Sequence, residues 1–305
     1  MTLISLITDE YSQDPATAFE LGRRWGVEHY EIRQAYGFRV PVSPAWAAQR
    51  VASAVRNYGV TVAAISPGLF KPTMRPDGTS QPISTADPAE VRRHLAELLP
   101  AFFAFAEQVG TRNIIVFALS PPAGAGVGGV GGDAATGPEL VPPVVIDSLA
   151  QAAQAARQRG FQLLLENGPS WAGDGRSIRA ILEAVNCPAL GLTWDPANVL
   201  GSGFSDDPVG RDYPLVAPFM RAVHVKDGIR RDGQARWTML GQGRVDWPGQ
   251  LRRLQADGYA GPLTLEPHLT FQGGVNLAAM MEQYLAAARR MLAATAAPSN
   301  RLGDG

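Results

Sequence analysis

The sequence predicts one (β/α)8 barrel. Three observations carry that expectation. Eight short apolar runs alternate with helical patterns, the runs lack a clean polar alternation, and 305 residues suit a single barrel. Strands without alternation are buried on both faces, as a parallel sheet covered by helices requires. Eight such units close a barrel, whereas an open doubly wound sheet usually needs fewer. The first strand–helix turn also lacks the GxGxxG loop of a dinucleotide-binding fold.

In chain order the expected strands are LISLIT (3–8), HYEIR (29–33), VTVAAIS (60–66), NIIVFAL (113–119), FQLLLE (161–166), LGLTWD (190–195), RAVHVK (221–226) and PLTLE (262–266). Helices are expected over 14–25, 44–57, 88–109, 141–159, 175–185, about 207–217, 247–257 and 275–294. Asp14–Pro15 and Asp87–Pro88 each offer a cap followed by a first-turn proline. Two long insertions follow strands three and four, at 67–87 and 120–140. Both would overhang the C-terminal face of a barrel, where long loops serve as lids or as solvated insertions. The barrel is expected over 1–295, with a disordered tail at 296–305.

Composition narrows the function. The chain is 46% hydrophobic and 18% charged, so it is neither disordered nor fibrous. Basic and acidic residues number 27 and 28, a net charge of -1, which gives no electrostatic footprint for nucleic acid. The single cysteine, Cys187, excludes an internal disulfide and a thiolate zinc site, and reads as a small packed residue. The opening MTLISLITDEYSQD has no basic segment and meets acids by Asp9, so it is not expected to be a leader. No apolar run reaches the ~20 residues of a membrane span. The expected location is the cytoplasm.

Glu166, Asp195, His224 and Glu266 stand at or near the C-terminal ends of the fifth to eighth strands, each about one strand–helix unit from the next. Adjacent strand ends lie side by side on one rim, so the four side chains can converge over the barrel axis. Three carboxylates at one point repel each other, and a divalent cation removes that cost. Oxygen-rich ligation with one imidazole suits Mn2+, Mg2+, Co2+ or Zn2+.

The segments ITDEYSQDPATAFELGRRWGVEHYEIR, ISPGLFK, LLLENGPSW, GLTWDPANV, HVKDG, LGQGRVDW and LTLEPH resemble the sugar phosphate isomerase/epimerase family, the xylose isomerase-like TIM barrels. The resemblance implies that Glu166, Asp195, His224 and Glu266 ligate one metal ion, with Mn2+ first. Glu166 and Glu266 would double as the acid/base pair of a proton transfer next to a substrate carbonyl, through a metal-stabilised cis-enediolate. It implies a small carbohydrate substrate, no nucleic-acid or membrane partner, and a homo-oligomer such as a dimer or tetramer.

Further positions match substrate contacts or a structural alternative. Arg230 matches a substrate-contacting arginine or is a solvent-exposed loop residue. Lys226 holds a substrate oxygen or pairs with an acid across the rim. His268 reaches substrate, orients a ligand, or is a loop histidine. Glu31 faces the barrel mouth or pairs with Arg33. Lys71 grips an anionic group from the first long loop. Trp171 packs on a sugar face or pins its loop. Many relatives carry a histidine three residues after the strand-six aspartate, and here Asn198 stands there, which cannot transfer a proton at neutral pH.

The endonuclease relatives of the fold use three zinc ions and many histidines. This chain has only His29, His94, His224 and His268. The expected activity is a metal-dependent isomerase or epimerase, the alternatives being a dehydratase or lyase and a non-catalytic sugar-binding barrel.

Overall fold

The computed structural model describes residues 3–42, 44–71, 73–74, 80–81, 87–121, 141–269 and 276–296. The expected tail from 297 and most of the two long insertions lie outside the described residues. Eight parallel strands close a barrel: β1 (Leu3–Ile7), β2 (His29–Ile32), β3 (Thr61–Leu69), β4 (Asn113–Val116), β5 (Gln162–Glu166), β6 (Leu190–Trp194), β7 (Met220–Val225) and β8 (Pro262–Leu265). Each strand pairs with its sequence neighbours, and β8 closes onto β1.

Side chains two apart on a strand share a face. Ala64, Ile115, Leu164 and Ala222 pack together although they come from strands that are not all adjacent, so they face the axis. Glu166 and His224 have the parity of Leu164 and Ala222 and also point inward, one layer higher. Asp195 follows Trp194, and Glu266 follows Leu265, on the same rim.

The expected helices form with shifts of a few residues. Asp14 accepts from Thr17 N at 3.0 Å and opens Pro15–Arg24, and Asp87 accepts from Glu90 N at 3.2 Å. Cys187 is a half-buried packing residue against the core. No described helix is long and apolar enough to cross a membrane.

Two expected helices need correction, and two further elements have no counterpart among the expectations. The helix at 88–109 is interrupted by a π-helical turn at His94–Leu98, because Pro100 has no N–H to donate to the preceding turn. The helix at about 207–217 is a π-helical turn, Pro208–Asp212, running into Tyr213–Val216. A short helix, Pro196–Ser202, follows β6 directly, and its seven residues are too few to show a period. Residues 227–238 form an antiparallel hairpin, Asp227–Arg231 with Gln234–Thr238, turning at Asp232–Gly233 with positive φ at both.

His94 ties the end of β3 to that π-helical turn. Its Nδ1 accepts from Phe70 N–H at 3.0 Å, and its ring stacks on Phe70. Burial pulls the imidazole down to about 4, so the ring stays neutral and can accept. The unfolded chain takes up the same proton near 6.5. Stability from this group is therefore complete above about pH 6.5. It declines as pH falls toward 4, by up to about 3 kcal/mol. In His94→Asn, Oδ1 can replace Nδ1 as acceptor without titrating. Urea unfolding between pH 7 and pH 4 should show a flatter acid slope for this variant, and an unchanged slope would refute the assignment.

Candidate metal centre and active site

Glu166, Asp195, His224 and Glu266 are all buried, and one ligand atom from each lies within 4.8 Å of the others. His224 Nδ1 stands 3.5 Å from Glu166 Oε1 and 3.3 Å from Glu266 Oε2. His224 Nδ1 has no aligned hydrogen bond, and Asp195 Oδ2 faces the Lys226 ammonium at 2.7 Å. Buried polar atoms without partners are costly, and a cation in their midst removes that cost. The donor set of three carboxylates and one imidazole fits a divalent ion.

Each member of the ring is held from outside. Asp195 Oδ1 accepts from Asn198 N–H at 3.0 Å as the cap of Pro196–Ser202, which leaves Oδ2 for the ring. Asn167 clamps the Asp195 backbone, donating to its carbonyl and accepting from its N–H, both at 2.8 Å. The Asn198 amide donates to Asn167 O at 2.9 Å and reaches Glu166 Oε1 at 3.4 Å.

Glu31 neither opens onto the mouth nor pairs with Arg33. It lies against His224, 2.9 Å from Nε2, and as a carboxylate it accepts that ring's proton. In the neutral ring, a proton on Nε2 would leave Nδ1 with a lone pair toward the other three residues. This is the carboxylate–histidine arrangement that orients metal ligands. Glu31→Leu should weaken Mn2+ binding about 10- to 100-fold by calorimetry, and Glu31→Gln, which keeps an acceptor, should weaken it less. An unchanged Kd in Glu31→Leu would remove Glu31 from this role.

Arg33 serves a different cluster. It donates to Asp9 Oδ2 through Nε and Nη2, to Glu10 Oε1 at 2.6 Å and to Glu266 Oε1 at 2.7 Å. His268 joins Glu10 through Nδ1 and its backbone N–H, each at 2.9 Å. Burial alone would raise the Glu10 carboxyl, but Arg33 and His268 overturn that and hold it at about 2. Glu10, Glu266 and His268 also have donor spacing suited to a metal, but Arg33 already supplies the positive charge there.

Lys226 is buried at 1% exposure, 2.7 Å from Asp195 Oδ2 and 2.9 Å from Glu266 Oε2, so it pairs with acids across the rim. Burial raises Asp195. For Glu266 the opposing pull of Lys226, His268 and His224 prevails and holds it well below the usual range. Burial would lower His224, but Glu31, Glu266 and Glu166 raise it well above its ordinary value.

The remaining sequence candidates fall around this centre. Trp237, which the sequence reading did not single out, stacks its ring under Lys226 Nζ at 4.8 Å and meets His268 edge to face. Arg230, on the same hairpin, packs against Gly203, where a Cβ would collide with its guanidinium. Trp171 is half-buried against the core, and its backbone N–H donates to the carbonyls of Ala118 and Leu119. Lys71 follows β3, with Nζ 4.2 Å above the Phe117 ring.

No curated protein matches the chain in sequence. Solved structures share the fold at low identity. An L-ribulose 3-epimerase is 20% identical with a TM-score of 0.69, covering 97% of this chain and 96% of its own. D-allulose 3-epimerase from Methylomonas sp. is 15% identical with a TM-score of 0.66, covering 95% and 97%. A probable 3-DHS dehydratase from Bacillus anthracis is 16% identical with a TM-score of 0.63, covering 92% and 98%. The family model described as xylose isomerase-like TIM barrel matches residues 19–294. With a closed eight-stranded parallel barrel and that match over most of its length, the chain belongs to the xylose isomerase-like TIM barrel family.

Proposed function

We propose that the protein is a metal-dependent isomerase or epimerase of a small sugar or polyol-type carbonyl compound. The observation that carries this reading is the buried ring of Glu166, Asp195, His224 and Glu266, with His224 Nδ1 lacking an aligned hydrogen bond. Those four residues would hold one divalent ion, proposed as Mn2+, with Mg2+, Co2+ and Zn2+ suited to the same donors. When bound, the ion supplies Lewis-acid polarisation of a carbonyl.

The protein's own groups supply the proton traffic. A C–H next to a carbonyl loses its proton to one of the two glutamates that flank the ring, and the other returns a proton. Return to the same carbon from the opposite face gives an epimer, and return to the neighbouring carbon gives an isomer. Two cations rest on Glu266, from Arg33 and Lys226, whereas among the described residues Glu166 is in contact with the Asn198 amide and His224, and Lys71 acts on it from farther off. That difference makes Glu166 the stronger base and favours it for the first removal. Asn198 can orient a hydroxyl but adds no proton of its own. Lys226, Arg230, His268, Lys71 and Trp171 are proposed to bound the substrate, and Glu31 to act through His224.

Incubation with ketoses in deuterated water tests this. We expect deuterium at the carbon next to the carbonyl, no loss of water, and loss of exchange on chelation. A deoxy or unsaturated product would establish the lyase alternative, a reaction type that the Bacillus anthracis neighbour's name carries. An ion-free protein that neither exchanges deuterium nor binds Mn2+ would sink both and leave the sugar-binding barrel.

A further inference from the structure

The ring of acids draws on β5 to β8, and the opposite half of the rim has a different chemistry. Arg39 lies in the short hairpin after β2. It donates from Nη1 to Ser66 O at 2.7 Å and passes over Gly68, where a Cβ would come within 2.9 Å of its side chain. Gly68 has φ +92°, a conformation that glycine adopts freely. Lys71 follows β3 and rests its ammonium on Phe117, just beyond β4.

Arg33 and Lys226 take up the acids nearest to them. Among the described residues no carboxylate lies within ion-pair distance of Arg39 or Lys71. Both are nonetheless largely enclosed. Burial pulls Lys71 down to about 8 against the longer-range pull of Glu166, and burial with the nearby Arg33 pulls Arg39 down to about 10. Enclosed cations with no carboxylate in contact are expensive and mark places where a ligand brings the charge.

We propose that Arg39 and Lys71 form a subsite for an anionic group, a carboxylate or a phosphate monoester, on the end of the substrate remote from its carbonyl. This rests on the sugar-carbonyl reading, because a substrate whose carbonyl faces β5 to β8 extends across the axis to the ends of β2 to β4. Arg39 offers a planar fork and Lys71 a point charge, a pairing suited to an oxyanion. The Phe117 ring fixes the lysine from below.

Calorimetry with unreactive polyols tests the subsite. Mn2+ is titrated first, and then D-glucitol, D-gluconate and D-glucitol 6-phosphate in parallel. The two anions should bind about 10- to 100-fold more tightly than D-glucitol. The tighter of them identifies the carboxylate or the phosphate. Lys71→Gln and Arg39→Gln should each reduce that preference, and Lys71→Arg should keep most of it. The two positions lie on different elements, so a folding failure at one leaves the other informative. Equal binding of D-glucitol and both anions would overturn the proposal, as would a preference that survives both glutamine variants. A protein that takes no Mn2+ yet still prefers the anions would fail the metal reading and keep this one.

Discussion

Replacing Glu266 by Gln should cut metal-dependent formation of the epimer or isomer by about 10²- to 10⁴-fold, the range expected for loss of a positioned acid or base, while Glu166 can still exchange the α-proton. The substitution is nearly isosteric, so the packing of β8 is kept. What changes is charge. Lys226 loses one of its two acids, and Arg33 keeps Asp9 and Glu10. The metal ring falls from three carboxylates to two, so weaker Mn2+ binding should accompany the kinetic loss. Saturating Mn2+ separates the two effects: affinity is restored by mass action, whereas a missing proton carrier is not replaced. Product formation at the wild-type rate under saturating Mn2+ would remove Glu266 from the reaction.

Arg33→Met should cost about 3–5 kcal/mol of stability, the range for removing one partner of a buried ionic cluster. Arg33 is 7% exposed, and three carboxylates converge on it. Methionine fills much of the volume but leaves Asp9 without a cation, Glu10 with His268, and Glu266 with Lys226 and the histidines. The penalty is the desolvated charge left behind rather than lost packing. It should shrink as pH falls and the stranded carboxylates take up protons. Denaturant unfolding at neutral pH measures it, and a loss below about 1 kcal/mol, typical of an exposed pair, would show that the cluster is solvated.

The barrel and its four acid-and-histidine positions were legible because they depend on local order. Eight apolar runs repeat along the chain, and a residue at a strand end takes its direction from the parity of the strand. Glu166 could be placed two beyond Leu164, and His224 two beyond Ala222, without knowledge of any contact. The partners of those residues were not legible in the same way. Arg33 and Glu266 are 233 residues apart, and Glu31 meets His224 across 193. Glu31 and Arg33 sit two apart on one run, and the sequence reading offered an Arg33 pair as one option for Glu31. The fold sends one to His224 and the other to Asp9 and Glu10.

Some misses had signals. Asp232–Gly233 between the flanks of 227–238 is a strong hairpin cue, and finding it would have drawn attention to Trp237. Asn167, next to Glu166, had no cue, because its amide pairs with the backbone of another strand end.

Lys226 and Asp227 are neighbours with opposite duties. Lys226 turns inward to Asp195 and Glu266. The Asp227 carboxylate accepts the N–H groups of Gly228, Gly241, Gly243 and Val245. One peptide bond therefore joins the floor of the site to the loop that forms part of its wall. Deleting Lys226 would bring the Asp227 carboxylate among carboxylates, and inserting a residue just before Lys226 would turn its ammonium toward four backbone donors. Changes of length in the chain must fall elsewhere. The Asp227 carboxylate thus ties Gly228, Gly241, Gly243 and Val245 to the strand end that carries Lys226.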